Sequence, residues 1–399
     1  MLVFDSARVT KFRVSLWDVP MLMWCMSPML SSLNNGLGAY DGLSGMLTEI
    51  LTWGVPYFIG RVYLTTPEVA QDMVRIIFIA TLVYLPLVWF EMVLSPQLHR
   101  IVYGSHAHQF IHAIRGGGYR PRVFMRSGLA LGIWMAGATM CGIVLWHCRI
   151  IKEVRSVPML WCLIVLGLTF IFCKAVGALL LGVAAIGLFF STIWLRSKAW
   201  LMVVLAVMPI YLTARVAYDW DAKWLLDQAR EVFPEKRVES LGTRINNENA
   251  LRDKAMQRPL FGWGGFGRSR IVNDQGEQIS ITDSAWIIVL GRNGVFGLLG
   301  YFGVLLVPLL RLAYHVPLST WRHPVIAPSV ALALILGIFM IDRLLNAQLN
   351  PIPIFIAGGL VGMPWSRIQS VIRIRGLQQV YMQQRMSKPE SDQSYPQAG

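Results

Sequence analysis

Along most of this chain, apolar residues run on for about twenty positions at a time and then stop. A helix needs about 20 mostly apolar residues to cross a bilayer, and stretches of that length without short-period alternation are what a lipid solvent selects. Ten fall near 18–34, 43–62, 74–94, 126–148, 157–173, 175–195, 198–214, 285–310, 324–344 and 351–365. Asp18, Pro20 and Pro28 interrupt the first, while the last is short and proline-flanked, as a re-entrant segment would be. The pattern predicts an all-α, polytopic transmembrane bundle of about 10 spans in one membrane domain, 1–365, and a basic tail, 366–399, polar enough to be partly disordered. The amino terminus lacks the basic, apolar, small-residue succession of a cleaved signal peptide and is expected to be retained.

Two polar stretches are too long to be hairpins. Residues 215–284 hold eleven Lys/Arg against eleven Asp/Glu, near neutral overall. Within them, Trp220 to Val232 reads as an interfacial amphipathic helix, and Arg244 to Met256 as a second helix ended before Pro259. Residues 95–125 differ: Arg100, Arg115, Arg120 and Arg122 occur with His99, His106, His108 and His112, and Ser95 to Val123 contains no acid. The shorter connections carry Arg8, Lys11 and Arg13, Arg149 to Arg155, Arg196, Lys198, Arg311 and Arg322. Ten spans put all of these on one side with the basic tail, which the positive-inside rule makes cytoplasmic, with both termini. Both long loops then face outward. A basic outer loop opposes that trend, so two readings stay open: a miscounted span with 95–125 in the cytoplasm, or outer cations that meet an anionic ligand.

Composition narrows the class. Hydrophobic residues make up 55% of the 399 and charged residues 15%, against about 25% charge in a soluble domain. The net charge of +14 therefore points to anionic lipid or an anionic lipid-linked substrate, not to nucleic acid. Cys25, Cys141, Cys148, Cys162 and Cys173 sit in or beside apolar runs with no CxxC and no paired His, and read as small core residues.

The candidate chemistry lies in the loops. Gly262-Trp-Gly-Gly-Phe-Gly267 is glycine-rich but follows no strand, opens no helix and lacks a Gly-Lys-Ser/Thr, so it is not a nucleotide fingerprint. Its glycines suit a tight turn or a close backbone approach. Arg268 and Arg270 follow, and read either as phosphate ligands beside the turn amides or as solvated arginines. The histidines have no carboxylate nearby to complete a metal site. Lys174, in a tight hairpin between two spans, is either a snorkelling lysine or a functional cation. Asp342 and Arg343 read as a local pair or as a bridge to a neighbouring helix.

Taken together, Ser240-Leu-Gly-Thr-Arg244, Pro259-Leu-Phe-Gly-Trp-Gly264 and Gly294-Val-Phe-Gly297, with the Cys173-Lys174-Ala-Val-Gly177-Ala178 hairpin, resemble the O-antigen ligase and polymerase family. The resemblance covers roughly 157–310 and rests on order and spacing more than on any one motif. It implies a metal-independent glycosyltransferase without cofactor in the bacterial inner membrane, moving a glycan from an undecaprenyl pyrophosphate carrier to a lipid or saccharide acceptor hydroxyl on the outer face. Such a reaction needs cations for the departing pyrophosphate and an acceptor for the hydroxyl proton. Arg244 matches the family's loop arginine and Lys174 its hairpin cation; Arg120, Arg122 and Arg268 would add pyrophosphate contacts. Where the family has His-Asn, this chain has Asp283-Ser284, which makes Asp283 the candidate base, and Arg292 replaces the family's acid before the closing glycine. Two rivals stand beside this reading. One is a transporter or flippase of lipid-linked oligosaccharide, which Arg292 and Asp342 inside spans keep alive; the other is a non-catalytic scaffold for other envelope-assembly proteins.

Overall fold

The computed structural model of the chain describes residues 5–10, 12–105, 113–115, 117–280, 282–348, 350–370 and 372, and the side chains of Arg115, Lys236 and Arg237 are not among those described. His106, His108 and His112, and the tail beyond 372, lie outside the described residues. Residues up to Met363 form one unit, and the chain from Pro364 forms another, helical over 365–370. The helices are α1 (Ser6–Val9), α2 (Val19–Asn34), α3 (Ala39–Glu49), α4 (Val55–Tyr63), α5 (Pro67–Leu94), α6 (Leu98–Tyr103), α7 (Gly128–His147), α8 (Met159–Phe172), α9 (Val176–Trp194), α10 (Ala199–Val216), α11 (Lys223–Val232), α12 (Glu235–Ala255), α13 (Ala285–His315), α14 (Ala327–Asp342) and α15 (Pro351–Gly362). Two short β-hairpins, β1/β2 at 114–119 and β3/β4 at 153–158, are the strands among the described residues.

Each apolar stretch coincides with helix. Five helices, α5, α7, α9, α10 and α13, are long and apolar enough to cross a membrane, while α8, α14 and α15 are apolar but shorter. The chain is an all-helical membrane protein. The stretch 43–62 is a composite of α3, a π-helical turn over Ile50–Gly54 and α4. Local chemistry sets several starts. Thr66 Oγ1 caps α5 ahead of Pro67, Ser127 Oγ accepts from Ala130 N–H at the head of α7, and Asn350 Oδ1 accepts from Ile352 N–H ahead of α15.

Small residues bring the helices close. A side-chain carbon on Gly132 of α7 would stand 2.4 Å from Ala175, and one on Gly142 would stand 2.5 Å from the Phe78 ring. Gly60 of α4 and Gly358 of α15 each face the other helix's backbone, 2.0 Å from Phe355 O and 2.1 Å from Tyr57 O on the same construction. Without a hydrophobic force between helices in lipid, such close approach is how they associate.

Cross-contacts sort the connections into two ends. At one, the Asp18 carboxylate takes hydrogen bonds from Arg61 Nε (2.7 Å) and Tyr57 OH (2.8 Å), Arg311 bonds Val361 O, and Lys198 bonds Ala313 O. At the other, Ala285 N–H donates to Arg343 O (3.1 Å), Gln348 Nε2 donates to Ser127 Oγ (2.6 Å), and Gly118 lies against Lys174 Nζ. The described parts of 95–125 and 215–284 therefore share one end with the 173–175 hairpin and the 343–350 connection.

Candidate functional site

The long-loop end holds three charged centres. The first is built on α12. The sequence placed this helix at Arg244 to Met256, but it begins nine residues earlier, at Glu235, directly after Pro234. Proline immediately before an acidic first turn favours helix initiation, so Ser240-Leu-Gly-Thr-Arg244 is helical. Gly242 there faces Leu226 of α11, and a side-chain carbon on it would make an ordinary contact at 3.8 Å.

One turn beyond Arg244, on the same face, Glu248 is buried. Its Oε1 accepts from Ser284 Oγ and from Trp286 Nε1 (3.3 Å), and its Oε2 from Tyr211 OH (3.3 Å) and from the fully buried Arg215 (3.3 Å). Arg215 also donates to Asn249 Oδ1 and Trp220 O, both at 2.7 Å. Burial pushes the Glu248 carboxyl up from its ordinary range, against the pull of Ser284, Arg215, Trp286 and Tyr211. This network fastens α12 to α10 and to the head of α13. Because Asp283 precedes Ser284 and Arg244 lies one turn before Glu248, fastening Glu248 to Ser284 brings Arg244 Nε to 3.3 Å from Asp283 Oδ2. The pair is 35% and 41% exposed. Asp342 is within electrostatic range of Arg244, and Arg343 pairs with its neighbour Asp342 at 2.8 Å, the local pair of the two readings.

The second centre gathers Arg120, Arg122 and Lys174. Glu91, the acid closing α5, supplies what the 95–123 loop lacks: Oε1 accepts from Leu98 N–H (3.0 Å), and Oε2 from Arg122 N–H (2.9 Å) and Val123 N–H (2.7 Å). Both arginine side chains are buried. Burial draws the Arg122 guanidinium below its ordinary range while Glu91 opposes the shift. A side-chain carbon on Gly128 would meet Arg120 at 2.7 Å, and one on Gly118 would meet Lys174 Nζ at 2.6 Å, so glycines make room for both cations. Arg268 joins neither group.

The third centre surrounds the glycine turn. Helix α13 breaks at Gly294 (φ 64°, ψ −166°), and the turn inserts at the break. Trp263 N–H donates to Gly291 O (2.8 Å), Gly264 N–H to Arg292 O (2.9 Å), Val295 N–H to Pro259 O (2.8 Å) and Phe296 N–H to Leu260 O (3.1 Å). Ser31 Oγ also donates to Arg292 O (2.9 Å), and Asn35 Nδ2 to Gly262 O (2.8 Å). The break orphans backbone groups, and the turn satisfies those of Gly291, Arg292, Val295 and Phe296. This is the role of the glycines: a side-chain carbon on Gly262 would lie 2.6 Å from the Arg292 backbone, and one on Gly294 would lie 2.4 Å from Leu260.

Beside the break lies a cleft of about 280 Å³ between α2, α3 and the turn, lined by Asp41, Ser44, Thr48, Glu49, Arg268 and Arg292 among others. Arg268 pairs there with Asp41 at 3.8 Å, and Arg292 is the cation in electrostatic range of the buried Glu49. Sequence reasoning missed this cleft. Its signal was present: Asp41, Ser44, Gly45, Thr48 and Glu49 follow the i, i+3, i+4, i+7, i+8 spacing of one helical face, and Glu49 is an ionisable group inside an apolar stretch. Among protein-family models and curated proteins, none matches this chain.

Proposed function

We propose that this protein is a membrane glycosyltransferase of the O-antigen ligase and polymerase kind. It moves a glycan from undecaprenyl pyrophosphate to an acceptor hydroxyl at the outer face of the bacterial inner membrane, with about ten spans and both termini in the cytoplasm. The observation that carries the reading is the half-exposed Arg244–Asp283 pair, 3.3 Å apart at the long-loop end. A lone carboxylate would repel a pyrophosphate; one already held by a guanidinium is screened. As the donor docks, its phosphate oxygens compete for the planar fork of Arg244, which leaves the Asp283 oxygen to accept the acceptor's proton. The acceptor oxygen bonds to the anomeric carbon, the bond to pyrophosphate breaks, and Arg244 holds the charge that departs. Lys174 adds positive field at the same end. Arg120 and Arg122, being buried, act through field rather than contact, and Arg268 belongs to the cleft.

The test is the envelope glycan profile of a strain lacking this protein, complemented with wild type, Arg244→Ala or Asp283→Ala at matched protein levels. Accumulated lipid-linked glycan that wild type clears and both variants leave supports transfer. Full restoration by both variants refutes it.

A second reading, transport of the lipid-linked oligosaccharide, is favoured by one observation, the broken helix α13 beside a charged cleft. Glycan transfer by purified protein in detergent, where no gradient exists, excludes it; transbilayer movement without any transferred product establishes it.

A further inference from the structure

The cleft beside Gly294 is a site that the transfer chemistry leaves unused. Its charged groups balance in sign: Asp41 pairs with Arg268 at 3.8 Å, and Glu49 lies within electrostatic range of Arg292. An anion would meet two carboxylates, a cation would meet two guanidinium groups, and a lipid tail would leave all four without solvent. What suits four charged groups of balanced sign is a neutral ligand bearing many hydroxyls, each able to donate to a carboxylate and accept from an arginine. Ser32 and Thr48 also line the cleft. Their own protons are committed to Gly38 O (2.9 Å) and Ser44 O (2.8 Å), so their oxygens are left as acceptors.

The rim adds a flat apolar face. Phe266 is 82% exposed, is held at φ 57° between two glycines, and has the Arg268 guanidinium 5.4 Å from its ring centre. A bulky residue in the left-handed region stores strain, and strain of this kind gathers at ligand sites. An exposed ring beside a cleft of hydrogen-bonding groups offers the apolar face of a sugar ring something to cover. The volume of about 280 Å³ is at the small end for ligand pockets and admits a short saccharide. Asp283 lies just before the start of α13 at Ala285 and Arg292 just before its break at Gly294, about two helical turns apart, so a saccharide in the cleft lies at the same end of the bundle as the Arg244–Asp283 pair.

We infer that the cleft between α2, α3 and the 262–268 turn binds an uncharged saccharide, Glu49 and Asp41 accepting from its hydroxyls, Arg268 and Arg292 donating to them, and Phe266 covering one ring face. The assignment of that saccharide as part of the acceptor rests on the transfer reading; the class of ligand follows from the cleft alone.

The experiment is ligand-detected NMR on the full-length protein in nanodiscs. The probes are a panel of neutral hexoses, N-acetylhexosamines and disaccharides, with glucuronate, glucosamine and inorganic pyrophosphate alongside. At least one neutral sugar is expected to bind saturably, tenfold or more weakly in Phe266→Ala and in Glu49→Gln, and unchanged in Asp227→Asn at an exposed position of α11. Phe266 is exposed, so its variant stays folded even where the Glu49 variant does not. Preference for pyrophosphate or a charged sugar, or binding by no neutral probe, overturns the inference, as does neutral-sugar binding indifferent to Phe266→Ala. If sugar binding behaves as stated while Arg244→Ala and Asp283→Ala restore envelope glycan, the transfer reading falls and the cleft stands. If those variants block transfer but no sugar binds, the cleft falls alone.

Discussion

Arg244 and Asp283 are 39 positions apart and were each singled out by motif, but no motif says that they touch; the Glu248 network makes them do so. An exposed ion pair contributes about 0–1 kcal/mol, so Arg244→Ala or Asp283→Ala should shift the thermal midpoint of the detergent-solubilised protein by only a few degrees, the scale on which stability and melting temperature are linked, while glycan transfer falls at least tenfold. A collapse in stability equal to the loss of transfer would make the pair structural. Glu248 is the opposite case. Glu248→Ala leaves the buried Arg215 guanidinium without its carboxylate partner and should cost about 3–5 kcal/mol. The group also carries a pH signature. Burial raises the folded-state pKa of Glu248 above its unfolded value of about 4.5, so the folded state holds the proton more tightly. Its contribution is full below that unfolded value and is lost as pH rises through the raised one. Wild type should therefore lose stability relative to Glu248→Gln as pH increases upward from about 4.5. A difference in unfolding free energy that stays flat with pH would contradict the assignment.

Among elements, the broken α13 and the turn that mends it were half legible. The sequence showed Pro259-Leu-Phe-Gly-Trp-Gly264 and Gly294 as loose motifs, and expected a tight turn or a close approach to a ligand. The close approach is instead to the chain's own backbone, a pairing of groups 28 to 36 residues apart that no local rule announces. Both glycines combine a positive φ with a backbone neighbour inside 3 Å. Gly262→Ala and Gly294→Ala should each destabilise by about 2 kcal/mol or more. Gly265 has nothing within 4 Å of a side-chain carbon and no positive φ, so Gly265→Ala should unfold like wild type. Equal tolerance at all three positions, read by thermal unfolding in detergent, would remove the clamp. The start of α12 was misplaced for a related reason: Lys236, Arg237 and Gly242 weaken the apolar rhythm on which a helix is recognised, while the burial of Val238 and Ile245 beneath it is tertiary.

For the molecule as a whole, the arrangement predicts a labelling pattern. Single cysteines at Tyr103 and Gln275, exposed in the two long loops, should react with an impermeant maleimide from one side of sealed vesicles; those at Ser156 and Ser319 should react from the other. Reaction of Tyr103→Cys and Gln275→Cys from opposite sides would break the two-ended arrangement. What the sequence determined by itself is the class of the protein, its helical membrane stretches and most of their ends, because burying a backbone in lipid demands long apolar helices and both length and polarity are written locally. Proline and cap residues then marked where several of them start. Only the tertiary structure decided that the acid-free loop is fastened by Glu91 from the helix before it, that Arg268 faces Asp41 rather than Arg244, and that polar residues of α3 enclose a cleft with the broken end of α13. Each depends on which helices lie side by side, and in lipid that choice is made by small-residue fit and paired polar groups across the whole chain, not by the order of residues within any one span.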